Sequence, residues 1–185
     1  MVIIMKQKVE VFDVAKEICE GIQHGALLTT KAGDQINTMS IGWGTLGIEW
    51  NLPIFIAYVR KGRHTTNLLN ENEEFTINID PSCMHKDIIR FCGTHRGSDV
   101  NKIKECDMHL EQPVSISVPG IQEFPLTLEC KVIYAKEQDL DQILQGPLSK
   151  FYPQETSSLE YGSNQDVHIA YYGQILNAYY IREDN

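Results

Sequence analysis

Residues able to do binding chemistry gather in three short segments of this chain. Thr29-Thr30 and Asn37-Thr-Met-Ser-Ile-Gly-Trp43 come first, Arg60-Lys-Gly-Arg-His-Thr-Thr66 follows, and Lys102 stands further downstream. Hydroxyl and amide side chains on a hairpin can hydrogen-bond the polar edge of a flat heterocycle while an indole covers its face. Arg63 and Thr65 at a helix start can take a phosphate, because backbone N–H groups and the helix dipole add to the side-chain charge. Read together, the segments suit a phosphorylated planar cofactor.

Other motifs compete with that reading. Gly42-Trp-Gly-Thr-Leu-Gly47 matches the dinucleotide fingerprint G-x-G-x-x-G letter for letter and follows an expected strand. Its third glycine should open a helix that receives a pyrophosphate. Here it leads into Ile-Glu-Trp-Asn-Leu-Pro53, and Pro53 with the strand-like run behind it opposes a helix, so turn glycines between strands are preferred. Cys92-x-x-His95 and Cys106-x-x-His109 form a repeated pair of the kind that can hold tetrahedral zinc. The spacing departs from the usual zinc patterns, and partly buried thiols beside surface histidines are the alternative. The chain lacks His-Glu-x-x-His, Gly-x-Ser-x-Gly and a Walker loop, so hydrolase chemistry has no anchor.

Composition narrows the partners. Sixteen basic residues against twenty-five acidic ones give a net charge of −9, which disfavours nucleic acid and anionic membranes. Residues 60–104 run against this balance, with eight bases and six acids, and hold four of the five arginines. A local cationic island in an acidic protein suits a small phosphate or carboxylate ligand. No apolar run approaches the roughly 20 residues that span a bilayer, and the first residues lack a signal-peptide pattern, so a cytoplasmic location is expected. Five unpaired-looking cysteines in a chain of 185 residues point to reduced thiols.

These residues need elements to position them. Val14, Ala15, Ile18, Cys19 and Ile22 recur at helical spacing, with Asp13 as an expected N-cap and Gly25 past the end. Ala26–Thr30 and Ile36–Ile41 read as a hairpin around Gly33-Asp34, and Pro53–Val59 as a strand that follows. A short helix over Arg63–Asn70 leads into Phe75–Ile79, whose alternation predicts a half-buried strand. Two short helices are expected over 83–91 and 100–106, a long strand around Leu126–Tyr134, and another from Val167 to Ile181. Between 137 and 165 the pattern lapses into an insertion with a brief helix at Leu140–Leu144, while the C-terminal tyrosines, Tyr161 among them, read as strand packing. Many strands, few crossover helices and the need to hide edges predict a single, mainly β domain spanning 1–185, with a mostly antiparallel closed sheet.

The same residues resemble the flavin reductase-like family of FMN-binding split barrels, which includes flavoredoxin and the small reductase components of flavin monooxygenases. The resemblance is densest over Asn37-Thr-Met-Ser-Ile-Gly-Trp43 and Val59-Arg-Lys-Gly-Arg-His-Thr65. It continues through Phe75-Thr-Ile-Asn-Ile79, Cys92-Gly, Asp99-Val-Asn-Lys102, Leu128-Glu-Cys-Lys131 and His168-x-x-x-Tyr-Gly-Gln174. It implies a split β-barrel of Greek-key type with short peripheral helices, a homodimer, and FMN at the dimer interface. By position, Asn37, Thr38, Met39 and Ser40 would meet the isoalloxazine and its chain, with Trp43 flanking. Arg63 and Thr65 would meet the phosphate, and Lys102 and His168 would join from later segments. The family's Ser-Gly-Arg-Asp is here Arg96-Gly-Ser-Asp99, and the excursion at 137–165 is longer than the usual connection, which makes it a candidate lid with Phe151 and Tyr152 as candidates for substrate contact.

The implied activity is that of an FMN oxidoreductase: NAD(P)H delivers hydride to the flavin, which passes electrons to free flavin, a partner protein or a small acceptor. The cofactor carries such chemistry, which is why no acid–base dyad or nucleophile need show in the sequence. An electron carrier reduced by a partner protein is the alternative, and a zinc-stabilised binding domain is the third.

Overall fold

The computed structural model describes residues 4–155 and 165–183. Strand β1 (Ile4–Lys8) leads to helix α1 (Ala15–His24), which starts two residues later than Asp13 and carries Val14 at its N-cap. Ile18, Gly21 and Ile22 form its buried stripe, and the absent side chain of Gly21 lets the helix close onto Ile79. The chain then forms two hairpins. Strands β2 (Ala26–Ala32) and β3 (Gln35–Ile41) turn at Gly33-Asp34, where Gly33 supplies a φ of 55°. Strands β4 (Gly44–Glu49) and β5 (Leu52–Arg60) turn at Trp50-Asn51, both at positive φ (51° and 58°), the two-residue geometry whose twist matches the flanking strands.

Strand β4 corrects the sequence reading of Gly42–Gly47 as a turn, because Gly44 and Gly47 lie inside a strand. A Cβ on Gly44 would stand 2.6 Å from the Phe55 ring on the paired strand, so glycine marks a close approach there rather than a bend.

Helix α2 (His64–Glu71), strand β6 (Glu74–Ile79), helices α3 (Lys86–Thr94) and α4 (Lys102–Glu105) and the small ladder of β7 (Leu110–Glu111) with β8 (Gly120–Ile121) follow. Two long strands, β9 (Leu126–Glu137) and β10 (His168–Glu183), complete the sheet. The antiparallel order is β3-β2-β6-β9-β10-β5-β4, with β1 pairing the far half of β10. No ladder joins β3 to β4 among the described residues, so closure is incomplete and the barrel is split. Helix α1 packs on β4 and β6.

Two cores result. Ile18, Leu28, Phe55, Phe75, Ile77 and Leu128 belong to the barrel interior. Leu27, Ile88, Cys92, Met108, Ile121 and Phe124 form a second cluster on the outer face of β2. This outer layer is why β6 is buried on both faces instead of half-buried: Thr76 and Asn78 lie beneath it. Asn78 satisfies its amide there, donating to Leu27 O and Thr29 Oγ1 and accepting from Ile121 N.

After β9 a 3-10 turn (Leu140–Gln142) and helix α5 (Gln145–Phe151) replace the single brief helix expected at Leu140–Leu144. Pro147 falls in the first turn of α5, where its missing N–H is tolerated. The remainder of the expected insertion, with Tyr161, lies outside the described residues.

Candidate functional site

Sheet register decides which polar groups meet. β2 and β3 place Thr29 opposite Thr38 and Thr30 opposite Asn37. A buried chain of donors runs across the strands: Asn78 donates to Thr29, Thr29 to Thr38 at 3.1 Å, and Thr38 to Leu28 O at 3.3 Å. The Thr38 hydroxyl is thereby engaged inside the sheet. Its carbonyl points the other way, to the open edge of β3, where Lys102 Nζ donates to it at 3.0 Å and to Cys92 O at 2.9 Å. N–H and C=O of one residue share a side in an antiparallel strand, so the Thr38 N–H faces that edge too. Met39 turns into the barrel core, and Ser40 is half-buried at the edge, with Gly93 of α3 so near that a Cβ would stand 2.5 Å from its hydroxyl.

Asn37 donates from Nδ2 to Thr65 Oγ1 at 3.0 Å, joining the hairpin to the first turn of α2. Both side chains are buried. Gly97, in the turn closed by Asp99 N on Arg96 O, presses against Asn37: a Cβ there would come within 2.6 Å of the Asn37 amide carbon. Sequence reasoning missed Gly93 and Gly97, since no local signal links a glycine in a turn to a residue sixty positions earlier.

Positive charge collects beside this amide–hydroxyl pair. Arg63 is the N-cap of α2 and makes no capping bond with its side chain, and the first helical turn holds no acidic residue. Its guanidinium instead donates to Gly93 O at 3.5 Å. Burial lowers the proton affinity of Lys102 and of Arg60, and the Arg63 charge lowers both further. Three cations thus crowd one region with Asp166 beside Arg60. A helix N-terminus without a side-chain cap, whose cap residue Arg63 opposes the charges of Arg60 and Lys102, is a setting that an anion relieves.

His168 enters through β10, which sets it directly opposite Arg60 on β5. The ring is buried and lies 4.8 Å from the Trp43 indole, whose edge meets Phe151 at 5.0 Å. Tyr152, brought by the segment after α5, shares a hydrogen bond with His168 Nδ1 at 2.8 Å and donates to Gln138 Oε1 at 2.9 Å. Arg60 spans the same region, donating to Asp166 O at 2.7 Å and to Phe151 O at 3.0 Å. Burial first, then the Arg60 charge, pushes the His168 pKa down to about 4, so the imidazole is neutral near pH 7. Asp166 and Gln138 carried no signal in the sequence; the register of β10 against β5 and β9 delivers them.

A cavity of about 440 Å³ opens beside Trp43, and of the nine expected cofactor residues Trp43 alone lines it. The paired Cys/His motifs separate. His95 stacks on Phe91 at 3.8 Å and His109 Nδ1 binds Glu123 at 2.7 Å, while Cys92 and Cys106 are free thiols joined by a hydrogen bond in which Cys92 donates. Burial pushes the Cys92 thiol up to about 12. No three metal-ligating side chains converge among the described residues.

The family profile described as flavin reductase like domain matches residues 23–184. The chain belongs to the flavin reductase-like family. Its fold is correspondingly the split barrel of that family. Flavoredoxin from Methanosarcina acetivorans superposes with a TM-score of 0.61 at 23% identity, over 84% of this chain and 67% of that one. An FMN-binding domain of a flavin reductases-like enzyme from Shewanella baltica OS155 gives 0.63 at 15% identity, over 97% and 78%. An uncharacterized protein of Archaeoglobus fulgidus is 26% identical over 97 residues, 52% of this flavin reductase-like chain and 54% of that relative, so the match spans about half of each. No helix of the described residues is long and apolar enough to cross a membrane.

Proposed function

We propose that this flavin reductase-like domain binds FMN and acts as an oxidoreductase with NAD(P)H as donor. The carrying observation is the anion setting at the start of α2: an N-terminus without a side-chain cap, with Arg63 as the cap residue and its charge opposing those of Arg60 and Lys102. A phosphate fits that charge and those backbone donors. The residues beside it fit the rest of the group. The open edge of β3 offers backbone hydrogen bonds at Thr38 and Ser40, Asn37 and Thr65 offer amide and hydroxyl, and Trp43 offers an indole face. Lys102 fixes the β3 edge to α3 through two carbonyls and keeps one N–H for the ligand. His168 stands neutral against Trp43 as an uncharged hydrogen-bonding group.

A bound flavin supplies two-electron chemistry, accepting hydride from NAD(P)H and passing electrons to free flavin, a partner protein or a small acceptor. The protein's part is to hold the phosphate, present hydrogen bonds along one strand edge and limit access through the segment bearing Phe151 and Tyr152. The working unit in this proposal is a cytoplasmic homodimer of one domain, residues 1–185, with Phe151 and Tyr152 beside the site.

The test is the visible spectrum of the purified full chain with excess FMN, before and after gel filtration, followed by addition of NADH or NADPH. Co-eluting flavin bleached by a nicotinamide supports the oxidoreductase. Bound flavin that neither nucleotide reduces would assign the electron-carrier role, and absence of co-eluting flavin would overturn the cofactor assignment.

A further inference from the structure

We propose that the cavity beside Trp43 is a second binding site, separate from the cofactor site, for a neutral, planar carbonyl compound of one or two fused rings. Its volume, about 440 Å³, falls within the range of small-molecule sites. Helix α1 supplies Ile22 and Gln23, the β3–β4 junction supplies Gly42, Trp43 and Gly44, and Tyr58 and Gln138 close the far wall.

The ligand class follows from this lining. None of the lining side chains is charged, in contrast to the cationic start of α2, so an ionic ligand would lose hydration with no counter-charge to replace it. Glycine on either side of Trp43 in the sequence leaves open the part of the indole that His168 and Phe151 do not cover, which favours a flat molecule against it. Gly42 faces open space, whereas Gly44 is held to glycine by Phe55. The polar groups are two amides and a phenol. Tyr58 is engaged with Thr45 at 3.2 Å, and Gln138 accepts from Tyr152 through Oε1, which leaves the Gln138 N–H₂ to donate to a ligand carbonyl. That amide also links the cavity through Tyr152 to His168, and Trp43 forms the shared wall between cavity and cofactor site. As the seat of a second substrate the cavity rests on the flavin reading above; as a binding site it does not.

Duroquinone is a suitable probe, being neutral, planar and fully substituted, so that it does not alkylate Cys19 on the cavity wall. It is titrated calorimetrically into the full chain, with and without FMN, for wild type, Cys19→Ser, Cys19→Phe and Gln23→Trp, each variant checked for an unchanged circular dichroism spectrum. The proposal expects duroquinone to bind wild type and Cys19→Ser alike and to bind both filled variants at least about tenfold more weakly, with FMN affinity within about twofold throughout. No duroquinone binding up to its solubility limit, or equal binding by the filled variants, would overturn it. Parallel loss of FMN and duroquinone in Cys19→Phe would also overturn it, by making the cavity part of the flavin seat. If FMN fails to bind while duroquinone binds and is lost in the filled variants, the flavin reading falls and the second site stands.

Discussion

Gly97→Ala is a one-carbon perturbation whose sign the structure fixes. Gly97 sits in a turn at an ordinary φ, and there an alanine normally stabilises by about 0.4–1 kcal/mol through the unfolded chain. Here the new Cβ would stand 2.6 Å from the Asn37 amide carbon and 3.1 Å from its nitrogen, so the buried amide must move. Moving it breaks the 3.0 Å bond to Thr65 and strands buried polar atoms, at a cost of about 2–3 kcal/mol. The net expectation is destabilisation by about 1–2 kcal/mol in urea unfolding, with the slope unchanged. A double-mutant cycle isolates the cause: in an Asn37→Ser background the shorter side chain clears the space, and Gly97→Ala should cost nothing or stabilise slightly. A Gly97→Ala protein as stable as wild type, or a loss undiminished by Asn37→Ser, would refute the contact as the reason for glycine.

The surroundings of individual side chains set three further outcomes. His168 has a folded pKa of about 4 against an ordinary 6.5, so between those values the unfolded chain binds the extra proton; its stabilising contribution is full above pH 6.5 and is lost as pH falls to 4. At about 1.4 kcal/mol per pH unit this amounts to at most ~3 kcal/mol, and His168→Gln should lose that much less than wild type between pH 7 and pH 4 in urea titrations; identical losses would show a normally titrating imidazole. Glu129 is fully buried and accepts from Val114 N, Ser115 N and Tyr179 Oη, so Glu129→Ala should cost about 3 kcal/mol or more by calorimetry, and a loss under about 1 kcal/mol would contradict that anchoring. Because His95 and His109 turn to Phe91 and Glu123, chelation by EDTA should leave the melting temperature unchanged, and a fall of several degrees would restore the zinc reading.

Periodicity and turn chemistry made much of the framework legible. The β2–β3 hairpin announced itself through Gly33-Asp34, and α2 and β6 through a change from helical to alternating spacing. Strand β4 was concealed because its glycines mimic a turn, and only the Phe55 ring across the ladder explains them. The burial of both faces of β6 was also concealed: Thr76 and Asn78 look solvent-facing until the outer cluster of Leu27, Ile88 and Phe124 covers them. In the site, the hydroxyl, amide and guanidinium types were visible as types. That Asn37 reaches Thr65, that His168 faces Arg60, and that Asp166 and Tyr152 complete its surroundings depend on register between strands far apart in sequence. Local pattern carries no information of that kind.

The most direct test of the central claim compares FMN with riboflavin, which lacks the phosphate, for wild type and Arg63→Ala by quenching of flavin fluorescence. If the start of α2 holds the phosphate, loss of one charged hydrogen-bonding group of about 1.5–3 kcal/mol weakens FMN by roughly ten- to hundredfold and leaves riboflavin nearly unchanged. Equal effects on the two flavins, or FMN binding indifferent to Arg63→Ala, would contradict the account.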